Sequence, residues 1–262
     1  MKLHIVRLLL VLSTGGLIPT LAHADFINVN VTIQNLAPTN SVSFAPLRLG
    51  FHNGSFDAFN NGQVATAPII SVAEGGSGSA WFPAFASAEP NATLGSVGGA
   101  LLPGTSASNT FVVDRSANRF FTFGSMVIPS NDHFIGNDSP TRFQLFDNSG
   151  NLLINTINQK ARDIWDAGSE TTDPIGAAFL VVGTNSIRTP QNGVVSFNFS
   201  ELTAYNGLTT SAGYTFNSQL TADTDIYRIT FSTSPVAVPA PPSVLLLGIG
   251  FVGFLARVIR RK

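Results

Sequence analysis

The chain has 262 residues, 44% of them hydrophobic with 21 Phe, only 11% charged, and no cysteine. That length fits one or two domains, and the lack of thiols excludes a disulfide framework and thiol chemistry. The net charge of −1 hides an uneven distribution: between the basic ends lie eight basic and 15 acidic residues, a balance of −7 that repels phosphate backbones and argues against nucleic acid.

Residues 1–24 predict a secretory signal segment. Lys2 and Arg7 supply a basic start, Leu8–Leu12 an apolar run, and Gly15, Gly16 and Pro19 a helix break. Ala22-His23-Ala24 then gives a small-x-small cleavage pattern. The stretch is too short and too broken to serve as a lasting membrane anchor.

Residues 25–232 predict one all-β domain, an antiparallel β-sandwich. Ile27, Val29, Val31 and Ile33 alternate with polar residues, the pattern of a half-buried strand. Thr110–Val113 and Phe120–Val127 are further aromatic and β-branched runs, and Arg142–Phe146 and Leu152–Ile157 flank the turn Asp147-Asn148-Ser149-Gly150-Asn151. Ala178–Val182, Val194–Phe199 and Tyr227–Phe231 complete the strand set. Gly75 to Pro103 is rich in Gly, Ala and Ser and reads as a loop region, with helical turns near Ile69–Ala73. Many short strands with little helix argue for two packed antiparallel sheets.

Seven of the 15 acidic residues fall between Phe120 and Asp173. Two segments read as acidic loops, Pro129–Ser139 and Trp165–Glu170. Asp166 and Glu170 are four apart, with Gly168 between them permitting a sharp turn, and the first segment adds Asp138. Calcium takes six to eight oxygen ligands, so such loops meeting at one end of a sandwich can cage it. On spacing alone a solvated acidic loop is the simpler reading, because the regular D-x-D-x-D-G pattern is missing.

The chain closes with a Pro-rich linker, residues 233–243, and a segment 244–262 in which an apolar stretch precedes Arg260-Arg261-Lys262. The apolar part is shorter than the ~20 residues usually needed to span a bilayer. Gly248, Gly250 and Gly253 favour close packing against another membrane helix, so a C-terminal transmembrane helix is expected. Basic terminal residues hold that end on the cytoplasmic side.

This ending resembles the PEP-CTERM sorting signal, with Pro239-Ala240-Pro241 where that family has Pro-Glu-Pro. The resemblance implies handling by exosortase-type machinery in Gram-negative bacteria that make exopolysaccharide. The central window also resembles a known family, the spondin N-terminal domain. The residues that carry the likeness are Phe123-Gly124-Ser125-Met126-Val127, Pro129-Ser130-Asn131-Asp132, Gly136-Asn137-Asp138-Ser139 and Trp165-Asp166-Ala167-Gly168-Ser169-Glu170. Val31–Leu36, His52 and Ala73-Glu74-Gly75 fit its first half. The resemblance implies a sandwich akin to calcium-dependent membrane-binding domains, with one calcium on Asp138, Asp166 and Glu170. Glu170 stands where animal members more often have Asp, and His133 where they usually have Trp.

Catalytic apparatus is not visible. There is no G-x-S-x-G nucleophile motif, and Gly75-Gly76-Ser77-Gly78 lacks the Lys of a phosphate loop. His52 and His133 could offer nitrogen to zinc, but neither has a ligand-spaced partner nearby, so both read as structural or surface residues. A polysaccharide hydrolase would need two carboxylates across a cleft, for which Asp132 and Asp138 are the least implausible pair. The leading expectation is a non-catalytic, calcium-binding surface or matrix module that contacts exopolysaccharide or surface proteins. A purely structural exported domain without a ligand is the third reading.

Overall fold

The computed structural model describes residues 26–237. The expected signal segment, the C-terminal apolar segment and most of the linker lie outside the described residues. In chain order the elements are β1 (Phe26–Asn35), β2 (Ser43–Phe44), β3 (Leu47–His52), α1 (Ala67–Gly75), α2 (Trp81–Ala88), β4 (Thr93–Val97), β5 (Ser106–Asp114) and β6 (Phe120–Ile128). There follow β7 (His133–Gly136), β8 (Thr156–Lys160), β9 (Trp165–Asp166), β10 (Ser196–Phe197) and β11 (Asp225–Pro235), with 3₁₀ turns at Ala161–Asp163 and Ser200–Tyr205.

The strands form two antiparallel sheets. One has the order β5-β1-β11-β8, and the other the order β10-β9-β7-β6-β3-β4 with β2 also paired to β6. β1 shows why: Val29, Val31 and Ile33 are buried while Asn28, Asn30 and Thr32 between them are only half-buried. The buried rows of both sheets meet in one core, where Phe121 of β6 packs edge-on to Phe231 of β11 at 4.9 Å and Phe51 of β3 lies 5.7 Å from Phe111 of β5. The expected antiparallel two-sheet architecture is what the chain adopts.

β6 is buried almost throughout, because the second sheet is covered on both faces. Its outer face carries α1 and α2, which contribute Ile69, Val72, Trp81 and Phe85 to a second apolar cluster. Gly50 and Gly124 make that approach possible. A β-carbon at Gly50 would meet the Phe85 ring at 2.4 Å, and one at Gly124 would meet Val72 at 3.3 Å. α1 has Pro68 in its first turn, where no backbone N–H is required, and stops at Gly76 in the left-handed region.

Several expectations change. The stretch 75–103 is not a plain loop: it contains α2 and β4, because Trp81 and Phe85 have an apolar sheet face to cover. β3 is a strand beyond those expected: Leu47, Leu49 and Phe51 alternate with Arg48, Gly50 and His52, and packing under the helices buries most of the second face as well. The turn at Asp147–Asn151 forms, with Asp147 Oδ1 accepting from the N–H groups of Ser149 and Asn151, but only the single bridge Phe146–Leu152 extends it. Ala178–Val182 makes isolated bridges rather than a strand. β11 runs to Pro235, paired with Ile27, so the sheet continues past Ser232 where the domain was expected to end.

Phe121 touches both layers and is fully buried. Phe121→Ala is therefore expected to destabilise the chain by about 3–5 kcal/mol, the range for a buried Phe replaced by a small side chain, measured by urea unfolding.

Candidate cation site

The site grows from the pairing of β7 with β9. His133 is directly opposite Asp166, and Phe134 opposite Trp165. Opposed residues in an antiparallel pair project to the same face, with β-carbons about 5 Å apart. One face thus presents His133 and Asp166 together, while Phe134 and Trp165 join the apolar cluster under α1 and α2. Ser196 of β10 pairs with Asp166 from the other side. The 3₁₀ turn Ser200–Tyr205 sends Leu202 and Tyr205 into the inter-sheet core and carries Glu201 to this end of the molecule.

Asp132, one residue before β7, ties down the loop that follows β9. Its Oδ2 accepts hydrogen bonds from Ser169 N–H at 2.8 Å, Glu170 N–H at 2.9 Å and Ser169 Oγ at 3.2 Å. Asp166 Oδ1 caps the same loop by accepting from Gly168 N–H at 2.7 Å. Gly168 has φ +65°, and a β-carbon there would meet the Val194 backbone nitrogen at 2.7 Å, so only glycine fits. Asn131 holds the next turn: its Oδ1 accepts from Asp173 N–H at 2.9 Å and from Tyr205 Oη–H at 2.6 Å.

The carboxylates crowd. Asp132, Asp166 and Glu170 are all buried. Burial first, then the charge of Asp166, pushes Asp132 above the usual carboxylate range, although its loop N–H donors pull the other way. Burial, then the charge of Glu74, pushes Glu170 up to about 7, with Arg188 opposing and Asp132 adding to the rise. Arg188 Nε lies 3.1 Å from Glu170 Oε1 but donates to Glu74 Oε2 at 2.8 Å. Glu170 Oε1 consequently accepts no hydrogen bond among the described residues.

His133 is the other unsatisfied group. It is fully buried, and neither Nδ1 nor Nε2 has a hydrogen-bond partner; Asp132 Oδ1 is 4.0 Å from Nδ1. A buried polar group without a partner costs about 1–3 kcal/mol. Donor atoms of His133, Asp166 and Glu201 all lie within 4.8 Å of one another. His52 contrasts with it, since Nδ1 contacts Glu89 at 3.1 Å and Nε2 contacts Thr122 at 2.9 Å. His52 is the structural histidine that its lack of a spaced partner implies.

The structure places the three sequence-derived candidates at two locations. Asp166 and Glu170 do share this end, but Asp138 does not. Residues 129–139 are not one loop: β7 runs through them and carries Asp138 five residues beyond His133, about 15 Å at the rise of an extended strand. Asp138 instead lines a separate hollow with Arg142, Gln159, Asp163 and Phe197. The same strand lies between Asp132 and Asp138, whereas Asp132 stands beside the loop that carries Glu170. Glu201 and Arg188 carry no local signal, because loops far along the chain bring them in.

No protein-family model matches this sequence, and no curated protein matches it either.

With Glu170 titrating near 7 in the folded chain and near 4.5 unfolded, the folded state holds a proton across that interval that the unfolded state has lost. Its contribution is present at low pH and disappears as pH rises toward 7. In chelator-treated protein, the melting temperature of Glu170→Gln relative to the parent is therefore expected to climb between pH 4.5 and 7.5. A difference that stays flat over this range would contradict the burial of that carboxyl.

Proposed function

We propose that the chain is an exported, non-catalytic surface module, of the spondin-like kind its motifs resemble, whose acidic end binds a calcium ion. The ligands in this reading are Asp132, Asp166 and Glu170, with loop carbonyls and water completing the shell. The observation that carries it is crowding of like charge: three buried carboxyls lie at one end, with Asp166 raising Asp132 and Asp132 adding to the rise of Glu170, against a single nearby cation among the described residues, Arg188, 3.1 Å from Glu170 Oε1. A hard divalent cation would offset the repulsion among such carboxylates. Arg188, nearly half-exposed, is held by two hydrogen bonds to Glu74 and would keep that pair when an ion replaces its contact with Glu170.

The ion would fix residues 167–173 against β7 and so stiffen one end of the two-sheet body. The fixed loops would then present a surface to exopolysaccharide or to other surface proteins. The signal-like start and the PEP-CTERM-like end support export and tethering through the C-terminal segment, with exosortase-type machinery as the partner that handles it. The −7 balance of the central stretch fits a partner that is neutral or bridged by cations rather than a polyanion.

Calorimetric titration of the full-length chain with calcium at pH 7.5 tests this. Heat of binding and a rise in melting temperature with excess calcium are expected. Asp132→Asn and Glu170→Gln should each weaken binding by about tenfold or more, while Asp138→Asn should leave it unchanged. A chain that gives neither heat nor a thermal shift does not bind calcium.

A further inference from the structure

We propose that His133, Asp166 and Glu201 form a second cation site, for a borderline divalent metal of the zinc class that accepts imidazole nitrogen. It shares Asp166 with the calcium reading and has that reading's Asp132 as a neighbour, but rests on His133 and Glu201, which that reading does not use.

The first observation is chemical type. Calcium prefers oxygen donors, whereas zinc takes neutral imidazole and carboxylate together. Here an imidazole with two unpartnered nitrogens is sealed from water, on the same sheet face as the carboxylate opposite it. A histidine that served only to fill the core would turn at least one nitrogen to a protein acceptor, as His52 does. His133 has none among the described residues, and the groups within reach of its ring are carboxylates.

The second observation is spacing. The three donors lie within 4.8 Å of one another, against about 3.3 Å between ligand atoms around a tetrahedral zinc with ~2.0 Å bonds. Closing that gap takes a change of up to about 1.5 Å between donor atoms, the scale of a side-chain adjustment. Glu201 is the group able to make it, because it is exposed while His133 and Asp166 are held by the β7–β9 ladder. Thr172 Oγ donates to Glu201 Oε2 at 2.6 Å, which leaves Oε1 available.

The remaining parts are present as well. Asp132 Oδ1, 4.0 Å from Nδ1, stands where carboxylates orient metal-bound imidazoles, leaving Nε2 for the ion. Glu201 also borders an open hollow of about 600 Å³ lined by Thr171, Thr172, Gln191, Ser200 and Thr203. Of the three donors only Glu201 borders that hollow, so it is the one through which the site would meet solvent.

The test uses full-length, chelator-treated protein, titrated separately with zinc and with calcium. Histidine-selective ¹⁵N NMR follows the zinc arm. Zinc is expected to bind and to shift one ring nitrogen of His133, while calcium leaves those signals in place. Glu201→Gln, a surface change that does not threaten folding, and His133→Phe should each weaken zinc by about tenfold or more and leave calcium unaltered. Glu170→Gln should do the opposite, and Asp166→Asn should weaken both. If His133→Phe fails to fold, Glu201→Gln and the nitrogen shift decide the matter. Zinc binding that neither moves a His133 nitrogen nor weakens in Glu201→Gln overturns this site and leaves the calcium reading standing. Loss of calcium binding alone leaves this site standing.

Discussion

One carboxylate oxygen organises the acidic end of this molecule. Asp132 Oδ2 gathers two backbone N–H groups and a hydroxyl from Ser169 and Glu170, and so pins the loop after β9 against the start of β7. Without it, Glu170 would not be drawn into a buried position beside like charge, and the face carrying His133 and Asp166 would lie open. The bonds come with an electrostatic penalty, because burial and the neighbouring Asp166 outweigh them and leave Asp132 above its ordinary range. A charged group stabilises its surroundings here while being destabilised by them. That tension is the electrostatic ground for the proposed cation.

A chain without disulfides can hold such a strained corner only if the rest of the fold is secure. The security comes from aromatic packing between layers: Phe121 with Phe231 and Phe51 with Phe111 across the two sheets, and Phe56, Trp81 and Phe85 under the helices. Phe56 and Phe85 stack at 3.9 Å, and Phe59 meets both Phe134 and Trp165 edge-on. This second cluster backs the very strands whose other face carries His133 and Asp166. The apolar cluster fixes the ladder, and the ladder fixes the ligands, which is the order in which a preorganised site is built.

The corner is also divided chemically. Toward Arg188 and Glu74 it is all oxygen and guanidinium, and Glu170 points that way. Toward the Ser200–Tyr205 turn it offers nitrogen, through His133, and an exposed carboxylate on Glu201. Asp166 stands between the two sides. A cation on either side would lower the charge felt by the other, so the two proposed sites are coupled through one side chain rather than independent.

The sequence alone determined the antiparallel two-sheet class and several of its elements, and it singled out the acidic turn Trp165–Glu170. Alternation in β1, the aromatic run of β6 and the Asp147–Asn151 turn were legible because each is a local property of a few successive residues. Asp166, Gly168 and Glu170 were legible for the same reason, as a tight turn with two acids. The strand β7 was not, since four residues are too few to show a period, and reading through it joined Asp132 and Asp138 into one loop. The pairing of His133 with Asp166, and the arrival of Glu201 and Arg188, were decided only in three dimensions. Ladder register and loop return join residues that are distant along the chain, and no pattern of neighbours in sequence encodes which distant side chain will fill a given gap.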